Sequence, residues 1–313
     1  MITIVIVNWN SGFLLRDCIE SIVKYHSCLV SELVVVDNAS TDQSINCLRD
    51  LTPTAFEIVQ IINDFNRGFS VACNQGAMHA RSEFILFLNP DTELFHDSLA
   101  SAMIFIQDAN NAKVGICGIQ LIDEHGRISR SCAHLPTLGR LVAQSLGFNR
   151  IWGFRSTGIT MHEWDHADTR TVEQVIGAFF FTRRTVFETL GGFDERFFVY
   201  FEEVDYSFRA RSAGWSSVYL AATHAFHAGG GTSRQVKAAR LFYSLRSRLL
   251  YGFKHFTFFQ AWTLALVTIL LEPVTRSMFC VLRGSLTDLR HTWQAYGMLI
   301  EELPRILRRH SPP

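Results

Sequence analysis

The sequence predicts an α/β fold in which a mainly parallel sheet carries helices on both faces, and three observations lead there. Residues 2–7 (ITIVIV), 33–36 (LVVV) and 84–88 (FILFL) are apolar without alternation, as strands buried on both faces must be. Stretches with helical spacing of apolar residues separate them, so strand and helix alternate. Each apolar run also ends in a polar cluster, and open α/β sheets bind ligands at the carboxyl edge of their strands.

The elements follow in chain order. The β-branched run 2–7 has no basic segment or small-residue cleavage site, so it reads as a buried strand and not a signal peptide. The loop Asn8-Trp9-Asn10-Ser11-Gly12 leads to a helix over 13–25, with Leu14, Leu15, Cys18, Ile19, Ile22 and Val23 on one side. The strand 33–36 stops at Asp37-Asn38-Ala39-Ser40-Thr41-Asp42, where Ser40 or Thr41 would cap a following helix. A third strand covers 57–62, Asn66-Arg67-Gly68 opens a helix over 69–80, and the strand 84–88 ends at Asn89-Pro90-Asp91-Thr92-Glu93. Further on, 114–121 and 172–181 read as strands around a polar stretch, 123–170. A helix from Glu203 through Arg211 ends at Gly214, and a strand at 217–220 precedes His224-Ala225-Phe226-His227.

Domain organisation divides at 236. Residues 1–236 form the α/β domain; residues 237–313 form a helical, basic and apolar extension. Its apolar run, 256–271, ends at Glu272-Pro273 and at sixteen residues is shorter than the roughly 20 a bilayer span needs. Two readings stand: a helical hairpin or interfacial helices lying on a bilayer, or a C-terminal helix packed on the core.

Composition sets the outer bounds. With 48% hydrophobic and 19% charged residues the chain has a large core and is not disordered. Lys+Arg and Asp+Glu balance at 29 each, which argues against a nucleic-acid partner. The balance is a cancellation: residues 1–236 carry a net −7 and residues 237–313 a net +7. A mean hydropathy of +0.13 leaves a membrane contact open. Seven scattered cysteines without a CxxC pair read as buried free thiols in a reducing cytoplasm.

Several motifs are decoys or missing. His162-Glu163-Trp164-Asp165-His166 matches the zinc-protease pattern H-E-x-x-H, but polar surroundings and no spaced third ligand argue against it. There is no GxxxxGK[ST], and no GxGxxG follows the first strand.

Other residues carry chemistry. Asp37 is either an acceptor for a nucleobase or ribose, or part of a capping loop. Asp91 is a hard oxygen donor suited to Mg²⁺ or Mn²⁺ on a diphosphate, with Glu93 assisting. Glu202, Glu203 and Asp205 place three carboxylates in four positions, where mutual repulsion raises a pKa as a general base requires. The alternative is a solvated acidic helix start. His227 is a further candidate metal or phosphate ligand.

In order, Val34-Val35-Val36-Asp37-Asn38-Ala39-Ser40-Thr41-Asp42, Asn66-Arg67-Gly68-Phe69, Asn89-Pro90-Asp91-Thr92, Gly191-Gly192-Phe193-Asp194-Glu195 and Phe201-Glu202-Glu203-Val204-Asp205-Tyr206 resemble the family 2, GT-A fold inverting glycosyltransferases, particularly their bacterial rhamnosyltransferase-like branch. The resemblance covers about residues 1–233. It implies a Rossmann-like GT-A domain and a nucleotide-diphospho sugar donor, with L-rhamnose from dTDP-rhamnose as the best guess. Asp37 then contacts the nucleobase, Asn8 and Asn10 line the same pocket, and Asn66 and Gly68 add to the donor site. Asp91 takes the metal-binding last position of the family's D-x-D, whose first position is here Asn89. Glu203 matches the second residue of the family's Glu-Asp pair, the base, with Glu202 or Asp205 able to share the role. His227 looks like the family's late histidine near metal and diphosphate.

The acceptor implied is a cell-surface glycan or lipid-linked sugar. Trp152, Trp164, Gly177 and Ala178 are candidate acceptor-side walls. A cytoplasmic enzyme, peripheral on the inner face of the membrane, fits the basic tail. The alternatives are a nucleotidyltransferase or a catalytically weak glycan-assembly subunit.

Overall fold

A computed structural model describes residues 1–49, 55–148, 157–229 and 236–308. The strands β1 (Ile2–Asn8), β2 (Val30–Asp37), β3 (Glu57–Ile62) and β4 (Phe84–Leu88) pair in parallel in the order β3-β2-β1-β4. The order reverses between β1 and β4, the position at which open α/β sheets form a ligand crevice. Helices α1 (Leu14–His26) and α2 (Phe69–Ala77) connect them.

Side chains of β1 alternate between two layers. Ile2, Ile4 and Ile6 join Leu15, Cys18, Ile19 and Ile22 of α1 in one core. On the other face, a Cβ on Gly76 of α2 would lie 2.3 Å from Val5, so only glycine lets the helix sit this close to the strand.

The sheet continues through β11 (Phe179–Arg183), antiparallel to β4, then β6 (Val114–Ile122), β12 (Ser216–His227) and β5 (Thr92–Leu94). Strand β6 runs antiparallel to β11 and so shares the direction of β4; β12 is parallel to β6. The carboxyl ends of β1, β2, β4 and β12 therefore meet at one edge. Short strands β7 (Ile128–Ser129) and β9 (Arg170–Val172) add to β6 and β12. Strands β8 (Cys132–Ala133) and β10 (Gln174–Val175) form a separate pair. Helices α3 (Ser98–Gln107), α5 (Arg184–Thr189) and α6 (Glu202–Ser212) complete the layers. Phe87, Phe180, Phe187, Phe193 and Tyr206 pack as one aromatic cluster beneath α6.

Four expectations need correction. Ser40 and Thr41 cap no α-helix; a 3₁₀ turn, Ser44–Arg49, follows instead, because Ser40 and Thr41 bond back to Asn8 and Asn10. The run 172–181 is three strands, β9, β10 and β11, in two sheets. Strand β12 continues seven residues beyond Leu220, through a register shift between Leu220 and His224. Glu272-Pro273 ends no helix: proline sits in the first turn of a new segment, where its missing N–H costs nothing.

The chain clusters into two compact units. The first comprises Met1–His134, Trp164–Glu195 and Glu202–Thr232 and holds the sheets. The second comprises Leu135–Glu163, Arg196–Phe201 and Ser233–Pro313. It contains α4 (Leu138–Ser145), α7 (Lys237–His255), α8 (Phe258–Leu266), α9 (Glu272–Leu282) and α10 (Leu286–Arg308). A π turn, Val267–Leu271, joins α8 to α9 without interruption.

Candidate active site

The parallel register sets Asn8 opposite Asp37. Asn8 Nδ2 donates to Asp37 Oδ1 at 2.7 Å, and to Ser44 Oγ and Ser40 Oγ at 2.8 and 3.1 Å. The Ser40 amide donates to Asp37 Oδ2 at 3.2 Å. Asn8 is fully buried beneath this carboxylate, so it orients Asp37 and does not itself present a surface. Asn10, at φ 51°, accepts from the Thr41 and Asp42 amides and ties the first loop to the second.

Asn38 was not singled out from sequence, yet it joins the loop after β2 to the segment Asn63–Gly68. Its Nδ2 donates to Asn66 Oδ1 and to the Gly68 carbonyl, and its Oδ1 accepts from the Arg67 amide and from Asn63. Asn66 in turn accepts from the Gly68 amide at 2.9 Å. Gly68 holds φ 91° and ψ 162°, a conformation open essentially to glycine alone.

The chain leaves β4 in a turn: the Asn89 amide donates to the Ala178 carbonyl and the Thr92 amide to the Asn89 carbonyl, around Pro90. Strand β5 then pairs with the end of β12, setting Thr92 opposite His227, while the Ala228 amide donates to the Asp91 carbonyl. This brings His227 Nε2 to 3.3 Å from Asp91 Oδ1. That nitrogen is buried and makes no hydrogen bond of good geometry. Glu93 lies near Asp17 of α1, and burial and that neighbouring charge raise its pKa. Among the described residues no three His, Cys, Asp or Glu side chains gather at metal-binding distance, so the expected trio Asp91, Glu93 and His227 reduces to a pair. An imidazole nitrogen and a carboxylate oxygen, the nitrogen lacking a hydrogen bond, fit a divalent cation whose other ligands are phosphate oxygens.

Helix α6 precedes β12, which starts at the opposite edge, so the first turn of α6 lies at the carboxyl edge. Glu202 and Glu203 stand there, each with a buried Oε2 that has no hydrogen-bond partner. Burial raises both pKa values, and the charge of Glu203 raises that of Glu202 further. The pair also faces Cys73 of α2, whose thiol is pushed up by burial and by these two charges. Tyr200 and Phe201, just before them, hold φ of 67° and 71°, strained for non-glycine residues. Asp205, counted from sequence among possible bases, is unavailable: it is fully buried and its Oδ2 takes a 2.8 Å bond from Arg209. Arg209 also donates to the carbonyls of Leu190 and Gly192. Asp205 therefore anchors the loop before α6.

The acceptor-side expectations fare unevenly. Ala178 is buried and serves through its carbonyl, which also accepts from Thr92 Oγ1. Trp164 is closed in as well: stacked on His166 at 4.1 Å, covered by Arg170 and bonded to Asp168. Gly177 faces open space, and Trp152 lies outside the described residues. The H-E-x-x-H match is not a helix, and His166 accepts from the Cys132 amide.

A parallel-based sheet with a polar loop cluster, an Asp–His pair and two adjacent glutamates on one edge is consistent with a GT-A-like glycosyltransferase. The profile described as "Glycosyl transferase family 2" matches residues 3–191, and the chain belongs to that family. It is 29% identical over 220 residues to the O-antigen biosynthesis protein RfbC of Myxococcus xanthus, covering 68% of this chain and 16% of that one. It is 26% identical over 210 residues to the N-acetylglucosaminyl-diphospho-decaprenol L-rhamnosyltransferase of Mycobacterium tuberculosis, covering 62% and 66% of the two chains. The match thus spans under two thirds of these relatives' own lengths. In fold it is similar to the mannosyltransferase PcManGT from Pyrobaculum calidifontis, solved with GDP-Man and Mn²⁺: TM-score 0.56, 16% identity, 99% of this chain and 88% of that one.

Proposed function

We propose that this glycosyltransferase moves L-rhamnose from dTDP-L-rhamnose to a hydroxyl of a lipid-linked glycan at the inner face of the cell membrane, inverting the anomeric centre. The observation that carries the reading is Glu203, a half-buried side chain whose Oε2 is buried and unpartnered, on the same sheet edge as the Asp91–His227 pair. Relatives whose names specify L-rhamnosyl transfer to a decaprenyl-linked sugar support the donor and acceptor class.

Glu203 Oε2 takes the proton of the acceptor hydroxyl as its oxygen attacks the anomeric carbon. Glu202 beside it is pushed up by burial and by the charge of Glu203, so the two carboxyls titrate as a pair. Asp37, fixed by Asn8 and Ser40, accepts from the nucleobase. Asp91 and His227 would hold Mg²⁺ or Mn²⁺, which supplies positive charge to the departing nucleoside diphosphate. A single displacement inverts the centre.

The test incubates the purified chain with dTDP-L-rhamnose, Mn²⁺ and a polyprenyl-diphospho-N-acetylglucosamine acceptor, reading product and anomeric configuration by NMR. An inverted rhamnoside with dTDP release is the expected result. Transfer only from UDP- or GDP-sugars overturns the donor assignment, and pyrophosphate release overturns the reaction class in favour of nucleotidyl transfer.

A further inference from the structure

Phe258–Leu282 is a continuous 25-residue helical stretch, long and apolar enough to cross a bilayer. Its two sides differ. On the inner side Glu272, 1% exposed, is bonded to Arg248 of α7 and to Arg276. Arg248 also donates to Ser145 Oγ of α4 at 3.1 Å and Thr268 Oγ1 at 3.0 Å, and Thr275 Oγ1 donates to the Ser145 carbonyl. Burial alone would raise the pKa of Glu272, but the two guanidiniums outweigh it and hold the group below its ordinary value. On the outer side Phe258, Trp262, Leu266, Leu270, Val274 and Met278 are exposed at a spacing of four.

The π turn decides how these outer residues line up. At about 100° per residue, an unbroken α-helix would spread them over roughly 200° of arc. The π turn takes up one extra residue and gathers them within roughly 100°. No charged side chain lies on that face: Glu272 and Arg276, the two charges of the stretch, turn inward onto each other and Arg248. Exposed Arg283 and Arg290 follow, half-buried Lys254 and His255 precede, and residues 237–313 carry a net +7.

Resting on the reading that this enzyme works at a membrane, we infer that Phe258–Leu282 lies in the plane of an anionic bilayer as a one-sided anchor and does not cross it. A crossing would have to tear Glu272 from Arg248 and carry the two charges Glu272 and Arg276 toward hydrocarbon, whereas in-plane seating buries one apolar stripe and leaves the network closed. The capping box of Thr257 and Gln260 satisfies the amino-terminal end of α8 within the protein, as an interfacial helix requires.

The test uses the full chain with vesicles of phosphatidylglycerol and phosphatidylethanolamine, against phosphatidylcholine alone. Flotation with the anionic vesicles, at least tenfold weaker with phosphatidylcholine and lost in Leu266→Glu/Leu270→Glu/Met278→Glu, is expected. Circular dichroism unchanged in that variant shows that the exposed face was not needed for folding. Placement is read by adding Phe256→Cys and Leu286→Cys singly to a Cys28→Ser/Cys280→Ser background and labelling bound protein with an impermeant maleimide from outside. Labelling at both positions is expected. One position protected until detergent is added overturns the in-plane placement and leaves membrane action standing. No flotation on any vesicle overturns both, and a dimer abolished by the same three substitutions would then assign the face to a second copy of this chain.

Discussion

His227 Nε2 and Asp91 Oδ1 stand 3.3 Å apart because a three-residue strand, β5, pairs antiparallel with the last residues of β12. That pairing sets Thr92, next to Asp91, directly opposite His227. If the pair holds a divalent cation, Asp91→Asn and His227→Ala should both weaken Mn²⁺ binding and lower kcat/KM by about 10²–10³-fold, the scale of losing one charge-stabilising group. Calorimetric Mn²⁺ titration in the presence of dTDP checks it. Glu93→Gln, facing Asp17, should leave Mn²⁺ affinity within about twofold. A large loss in Glu93→Gln with none in His227→Ala would reverse the assignment.

Glu202 and Glu203 yield a prediction in pH. Burial raises both above the ordinary 4.5, so activity should fall on the acid side above the pH at which a free glutamate titrates. Glu203→Gln should lower kcat by about 10²–10⁴-fold with donor affinity retained. Glu202→Gln leaves in place the burial that raises Glu203 and should leave the acid limb of the kcat profile where it is. Stability has a definite sign. Folded pKa values above the unfolded ones contribute stability that is full below pH 4.5 and lost as pH rises through the folded values. The Glu202→Gln/Glu203→Gln protein should therefore melt higher than the parent at pH 8 and show little difference at pH 4, measured by calorimetry.

Arg209 and Asp205 act on structure. Removing one partner of a buried ion pair costs about 3–5 kcal/mol, because the other charge stays behind unpaired. Arg209→Ala should lose that much in urea unfolding, since it also frees the Leu190 and Gly192 carbonyls. Asp205→Asn, which keeps an acceptor for Arg209, should lose less. At temperatures where the protein remains folded, Asp205→Asn should retain most of its kcat, which distinguishes an anchor from a base.

How much of this could be read beforehand follows from what periodicity encodes. Runs such as ITIVIV and FILFL have no polar alternative, so β1 and β4 were legible, as was the edge at which Asp37, Asn89 and Asp91 fall. Residues 172–181 were not: Val172, Val175 and Phe179 are all buried, but in two different sheets, and local pattern does not say which. The apolar run ending at Leu271 looked too short because Pro273 reads as a breaker, whereas a proline in the first turn continues the helix. Asp205 and Glu203 are indistinguishable by residue chemistry. Only the position of Arg209, one turn further along α6, separates the anchored carboxylate from the unpartnered one. Asn38 carried no signal because its role is a set of bonds to Asn63, Asn66, Arg67 and Gly68, at least 25 residues away.

That last set supports a prediction about donor binding. The loop between β3 and α2 is tied to the end of β2 by the Asn38 side chain and by the Asn63 amide on the Asp37 carbonyl, and Gly68 reaches φ 91° within it. Alanine at 68 must either adopt a conformation that costs about 1–3 kcal/mol or relax the loop. Relaxation would move Asn66 and the first turn of α2 while leaving Glu203 on its own helix. Gly68→Ala and Asn38→Ala should therefore raise KM for the nucleotide sugar several-fold, with kcat at saturating donor within about threefold. Steady-state kinetics with the donor varied reads the difference. A fall in kcat with KM unchanged would place this loop in the chemical step instead of donor capture.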